Sequence, residues 1–217
     1  MVDKQKFSYT GQSAEVEWDG RLCIHYGECG RAQGDLFIGG RQPWCQPDLS
    51  TGQEIRDVVL RCPTGALSAQ FSDGSRVEAD DGENTASISQ NGPVYIKGQL
   101  ELEGLDDQSP GTQYRAALCR CGHSNNKPFC DNSHEKAGFR DSGAVGQSGP
   151  GFESKGGPLR IQPLINGPVM LMGSLQIMAS AGRTAWSGEK AALCRCGHSS
   201  NKPFCDGSHV AAGFTAE

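Results

Sequence analysis

The chain has 217 residues, 36% of them hydrophobic, with 30 glycines and 11 prolines, which suits two or three small, loop-rich domains that need covalent or metal staples. A net charge of −5 with no stripe of Lys and Arg excludes a nucleic-acid surface. No basic start leads into an apolar run and no stretch nears the ~18 apolar residues of a membrane span, so the expectation is a cytoplasmic protein with no membrane partner, whose ten cysteines are metal ligands rather than disulfides.

The first predicted unit covers residues 1–71. Glu15-Val16-Glu17-Trp18 reads as a strand. Thr51 with Glu54 forms a capping box for a helix whose apolar face is Ile55, Val58 and Val59 and whose stop is Pro63. The unit is therefore α+β. Its cysteines fall in Cys23-Ile24-His25-Tyr26-Gly27-Glu28-Cys29, then Cys45, then Cys62-Pro63. Ferredoxin loops use Cys-x2-Cys-x2-Cys followed by a distant Cys-Pro, so this looks like such a set with the middle cysteine replaced by Tyr26. The stretch 15–68 is similar to the divergent mono-cluster ferredoxin family, sharing the Cys23–Cys29 run, Pro43-Trp44 and the segment from Arg61 to Leu67. The resemblance implies a small ferredoxin-like domain with Cys23, Cys29 and Cys62 as ligands. Losing the middle ligand leaves a [3Fe–4S] cluster, or a [4Fe–4S] cluster with a non-cysteine fourth ligand. Cys45 lies outside the shared set and reads as a buried small hydrophobe; His25 reads as a packing residue.

Residues 72–87, rich in Gly, Ser and Asp, read as a linker, as do 141–157. Between and after them a unit occurs twice. Asn91-Gly92-Pro93-Val94 recurs at Asn166-Gly167-Pro168-Val169, and holding that 75-residue offset from Asn91 to Phe139 matches 26 of 49 positions. Two copies make a tandem pair rather than a solenoid, with units at 88–140 and 158–217. Val94, Ile96, Leu100 and Leu102, and then Leu171, Leu175 and Ile177, give strand signals, so both units are expected to be mainly β.

Each repeat carries one constellation: Cys119, Cys121, Cys130 and His134 in the first, and Cys194, Cys196, Cys205 and His209 in the second. An extended Cys-x-Cys puts two thiols on one face. Cys130 and His134 stand at i and i+4, and if Asp131 caps a short helix they become neighbours about 5–6 Å apart at Cβ. Two such pairs suit one tetrahedral zinc or the two irons of a [2Fe–2S] cluster, and spacing alone does not choose; the one-residue gap is tighter than the usual zinc knuckle. Both runs resemble the CDGSH iron–sulfur domain family, Cys-x-Cys-x2-(Ser/Thr)-x3-Pro-x-Cys-Asp-Gly-(Ser/Ala/Thr)-His. The second copy matches throughout, while the first has Asn132 where the family has Gly; Asn tolerates left-handed backbone next best. The resemblance implies that Cys119 and Cys121 bind one iron and Cys130 and His134 the other, with Cys194, Cys196, Cys205 and His209 equivalent. It further implies that the two domains pack side by side as an intramolecular pseudo-dimer, so that the chain is a monomer. His123 and His198 read as surface imidazoles, Lys127 and Lys202 as solvated, Phe129 and Phe204 as apolar cover for the cluster, and Phe139 and Phe214 as core filling.

The expected function is one-electron transfer between the ferredoxin-like centre and the two [2Fe–2S] clusters, with redox proteins as partners. No phosphate loop, nucleophile motif or dinucleotide fingerprint occurs, so no enzyme activity is expected. A cluster-transfer or redox- and pH-sensing protein is the alternative; a zinc-stapled interaction module is a third reading. Histidine in place of one cysteine removes a negative charge and raises the potential. Reduction then raises the imidazole pKa, so the potential falls by up to ~59 mV per pH unit between the two histidine pKa values.

Overall fold

The computed structural model describes residues 5–78, 82–105 and 113–216. Residues 1–4, 79–81, 106–112 and 217, which fall in the first predicted unit, the first predicted linker, the first repeat and the second repeat, lie outside them. The described chain forms two compact units, one of residues 5–78 and one of 82–105 with 113–216.

In the first unit, β1 (Lys6–Thr10), β2 (Ala14–Asp19) and β3 (Leu67–Phe71) form an antiparallel sheet in that order. The expected strand 15–18 lies inside β2. Helix α1 (Gly52–Arg61) starts where its sequence dictates: the Thr51 hydroxyl accepts from the Glu54 amide at 3.3 Å, and the Glu54 carboxylate accepts from the Thr51 amide at 2.7 Å. Cys62 closes the helix just before Pro63. Ile55, Val58 and Val59 are buried against Val16, Leu67 and Ala69 of the sheet, with Leu36, Phe37 and Cys45 completing the core.

In the second unit the two repeats share one seven-stranded sheet. Its first-repeat strands are β4 (Thr85–Ile88), β5 (Val94–Lys97), β6 (Gln99–Leu102) and β7 (Arg115–Leu118); its second-repeat strands are β8 (Pro158–Pro163), β9 (Val169–Met178) and β10 (Thr184–Leu193). Strand β4 begins inside the segment read as a linker. Ala86, inside that segment, and Ile88, just after it, are too few to register as a period, yet both side chains are buried. Likewise Val145, in the second segment read as a linker, is buried. Within each repeat the pairing is antiparallel and keeps the 75-residue offset: Ala86↔Ile96 and Ile96↔Ala116 in one, Ile161↔Leu171 and Leu171↔Ala191 in the other. Between repeats it is parallel and reciprocal. β4 lies beside the second half of β9, Ala86↔Ile177, and β8 lies beside β6, Leu102↔Ile161. The strands of both repeats are thus joined in one continuous sheet. Among the described residues no helix is long and apolar enough to cross a membrane.

Candidate metal centres

Each constellation is built at the end of a strand. β7 delivers Cys119 and β10 delivers Cys194, and the returning chain is bonded back to those strands by Cys119 N→Pro128 O and Cys130 N→Ala117 O, both 2.8 Å, with the same two bonds at Cys194 and Cys205. Gly122 and Gly197 bend the chain after the Cys-x-Cys with φ of +85° and +84°. The Sγ atoms of Cys119 and Cys121 then stand 3.7 Å apart, and those of Cys194 and Cys196 3.6 Å. Cys130 Sγ lies 3.5 Å from His134 Nδ1, and Cys205 Sγ 3.4 Å from His209 Nδ1.

These spacings fit metal. With a metal–sulfur bond of about 2.3 Å and a metal–nitrogen bond of about 2.0–2.1 Å, the edges of a coordination tetrahedron are about 3.8 Å for S···S and about 3.6 Å for S···N. Each pair is thus spaced as two corners of one coordination tetrahedron would be. Among the described residues, no three or more His, Cys, Asp or Glu gather where they could hold a single ion.

The route to the second pair differs from the sequence expectation. Helix α2 (Ser133–Lys136) starts after Cys130, with Asn132 as its cap at φ +72°; α3 (Ser208–Ala211) starts after Cys205, with Gly207 at φ +87°. The left-handed residue folds the chain so that sulfur and imidazole meet, rather than lying on one helix face. Asp131 shapes this turn by accepting from the Asn125 and Ser133 amides at 2.9 and 3.0 Å, and Asp206 accepts from Ser200 and Ser208 at 2.7 and 3.0 Å. Bonding to Ser208 above all holds the Asp206 carboxyl well below the usual carboxylate range.

The electrostatics favour ionisation at one thiol of the first pair and oppose it at the other. A hydrogen bond from Cys121 pulls the Cys119 thiol down, helped by the Ser124 and Gly122 amides; the same bond, and then burial, pushes Cys121 up. Amides of His123 and His198 point at Cys121 and Cys196 Sγ, and that of Asn132 at Cys130 Sγ, all at 3.4 Å. Burial lowers His134, favouring the neutral imidazole that a metal requires.

Two arginines between the paired cysteines carried no signal in the sequence reading. Arg120 and Arg195 are each only 1% exposed. Arg120 donates to Gly92 O at 3.0 Å and Ser89 O at 2.6 Å and pairs with Asp141; Arg195 donates to Gly167 O at 2.9 Å and Leu164 O at 2.5 Å. They lock the Asn-Gly-Pro turn of their own repeat under the ligand loop. Phe139 and Phe214, read as core filling, are half-buried beneath these guanidinium groups at 5.2 and 5.6 Å. Lys127 and Lys202, read as solvated, are half-buried and donate to Ser124 O and Ser199 O at 2.6 and 2.5 Å. His123 and His198 are exposed, and Phe129 and Phe204 are buried.

The two loops also meet each other. A Cβ at Gly122 would lie 2.4 Å from Cys196 O, and one at Gly197 2.5 Å from Cys121 O.

In the first unit, Cys23, Cys29 and Cys62 line one cavity of about 230 Å³, together with Trp18, His25 and Tyr26. Burial raises the Cys29 thiol, and the nearby Cys23 and Cys62 raise it further. Cys45 is not in that cavity. It sits in the core at 1% exposure, and burial pushes its thiol up to about 12.

Comparison with known proteins follows this geometry. The family described as iron-binding zinc finger CDGSH type matches residues 91–135 and 166–210, and that described as divergent 4Fe-4S mono-cluster matches 9–70. The chain is 39% identical over 67 residues to a protein of Escherichia coli (strain K12) named uncharacterized protein YjdI, and equally to its counterpart in Escherichia coli O157:H7. That alignment covers 31% of this chain and 88% of each relative. No solved structure matches. This chain is an iron–sulfur protein that carries two copies of the iron-binding CDGSH-type domain behind a divergent 4Fe-4S mono-cluster domain.

Proposed function

We propose that the chain is a one-electron carrier, not an enzyme, with two [2Fe–2S] clusters in the repeats. Cys119, Cys121, Cys130 and His134 would hold one, and Cys194, Cys196, Cys205 and His209 the other. The observation that carries this reading is the spacing of all four ligand pairs at 3.4 to 3.7 Å, the bite of a tetrahedral metal. Bound, such clusters supply reversible one-electron chemistry. The protein's part is to bury the sulfurs, aim amides at them and fix the imidazole through Nδ1, which leaves Nε2 to take up a proton. The reciprocal strand pairing supports the reading of the repeats as a covalent pseudo-dimer that needs no second chain. The ligand loops touch across it, a placement suited to electron exchange between the two sites.

The first unit would hold a third centre, [3Fe–4S] or [4Fe–4S], on Cys23, Cys29 and Cys62. Its support is the cavity those three thiols share, with Tyr26 where a ferredoxin has its remaining cysteine. The redox partners would be proteins.

A second reading, whole-cluster transfer or redox sensing, draws on the partly exposed Cys205 and His209, an edge from which a cluster can leave. Mixing reduced holo-protein with an apo-ferredoxin, and separately with an oxidised holo-ferredoxin, tests both. The carrier predicts fast electron exchange with clusters retained. Fast appearance of a cluster on the apo-protein would replace it with the transfer function.

A further inference from the structure

In the first unit, Cys62 is held by the turn that follows it. Cys62 closes α1, Pro63 ends the helix, and Leu67 opens β3. Thr64, Gly65 and Ala66 carry the chain from one element to the other. Gly65 bends it at a φ of +74°, left-handed backbone that glycine enters freely. Ala66 O accepts from Asp19 N at 2.8 Å, which ties the turn to the end of β2. Within the turn the Thr64 hydroxyl bonds the backbone two residues on, where Oγ1 accepts from the Ala66 amide at 3.2 Å.

That bond occupies an oxygen lone pair and leaves the hydroxyl hydrogen to be placed. Thr64 is only 3% exposed, so bulk water is not at hand to accept it, and a buried hydroxyl without an acceptor is costly. Cys62 Sγ stands 3.6 Å from Thr64 Oγ1, within reach of the larger sulfur atom. A free Cys62 thiol could itself be the donor. A sulfur bound to metal has lost its hydrogen, and the bond then runs from Thr64 to Cys62. Thr64 also lines the cavity that Cys62 shares with Cys23 and Cys29.

A donor aimed at a ligand sulfur stabilises the more negative of two redox states, so it favours the reduced cluster. In the repeats backbone amides are aimed in this way, those of His123, His198 and Asn132, each at 3.4 Å from its sulfur. In the first unit a side chain takes that place, and its contribution can be removed by substitution. Building on the reading of Cys62 as a ligand of the first unit's cluster, we propose that Thr64 is a positioning residue that tunes this cluster: its hydroxyl, oriented by the Ala66 amide, donates to Cys62 Sγ and makes the cluster easier to reduce. Thr64 acts through Cys62 and is not itself a ligand.

The test is an EPR-monitored redox titration of the full chain, loaded anaerobically, with the repeat clusters as internal reference. Thr64→Val removes the hydroxyl. At a fixed potential it is expected to lower the reduced-to-oxidised ratio of the first unit's cluster about threefold, under half of what one hydrogen bond to a charged group contributes, with the repeat midpoints unchanged. Thr64→Ala, which leaves room for water at the Ala66 amide, is expected to shift the ratio in the same direction. Thr64→Ser keeps the hydroxyl and is expected to titrate with the wild type. A threonine that only braces the turn would cost melting temperature in the valine variant, because the Ala66 amide loses its acceptor, and would leave the potential where it was. The proposal is overturned if the valine and alanine variants titrate with the wild type, or if the serine variant shifts as far as they do. It is also overturned if either loses an iron while keeping its sulfide, which would make Thr64 a ligand, or if neither takes up the cluster, which would make it a folding residue. An iron count left unchanged by Cys62→Ala would instead bring down the reading of Cys62 as a ligand.

Discussion

In the proposed sites a single imidazole, 3.5 and 3.4 Å from its partner sulfur, would stand where an all-cysteine site has a fourth thiolate. Protonated imidazole cannot hold a metal, so acid should strip these sites. His134→Cys or His209→Cys is expected to slow acid release and lower the midpoint potential of its own cluster; unchanged release kinetics would show that histidine is not the weak ligand. Cys45 is the opposite kind of residue. Its thiol is raised from the usual cysteine range to about 12 by burial, so it stays protonated where an unfolded thiol ionises. The native state's advantage is complete below about pH 8.5 and fades as pH climbs toward 12. Native Cys45 should resist iodoacetamide at pH 8. Cys45→Ala should leave the iron content unchanged, whereas Cys62→Ala should lower it by the first unit's share. That Cys119 meets Cys121 and Cys130 meets His134, and likewise in the second repeat, was legible, because Cys and His at repeated intervals have few other uses. Arg120 and Arg195 were not, because a lone arginine between two cysteines looks solvent-exposed and its acceptors at Ser89, Gly92, Leu164 and Gly167 are backbone carbonyls.

At the scale of elements, the helix of the first unit could be read from its capping box, apolar face and terminal proline, all local signals. The turn before α2 could be read in part: Asn132 at φ +72° occupies the left-handed position that Gly207 fills in the second repeat. Since nothing lies within 4 Å of a Cβ at Gly207, Gly207→Asn is expected to cost little. Gly122→Ala is a different matter. It forces a side chain into left-handed backbone, about 1–3 kcal/mol, and presses on Cys196 O across the repeat boundary. It should lower the melting temperature more than Gly207→Asn does and disturb both clusters' spectra, although only one repeat is altered. Arg120→Met removes a buried cation from Asp141 and two carbonyls, with an expected loss of about 3–5 kcal/mol in chemical denaturation. Equal stability of wild type and variant would mean that the clamp contributes nothing.

At the scale of the whole molecule, the repeat unit was evident from sequence identity, but the shared sheet was not. Parallel pairing of β4 with β9 and of β6 with β8 joins residues some 60 to 90 positions apart, and alternation along one strand says which face is buried, not which neighbour lies beside it. Because each repeat lends strands to the other, a chain cut after the first repeat should fail to assemble its site, and denaturation of the second unit should be a single transition by visible absorbance and far-UV signal alike. On the proposed reading the four ligand pairs hold iron bridged by sulfide. Iron, acid-labile sulfide and zinc counted per chain on anaerobically purified protein, with EPR before and after reduction, test it most directly. About four irons and four sulfides are expected from the repeats, with about three or four further irons from the first unit and a reduced [2Fe–2S] signal. A colourless protein with stoichiometric zinc and no sulfide would contradict it.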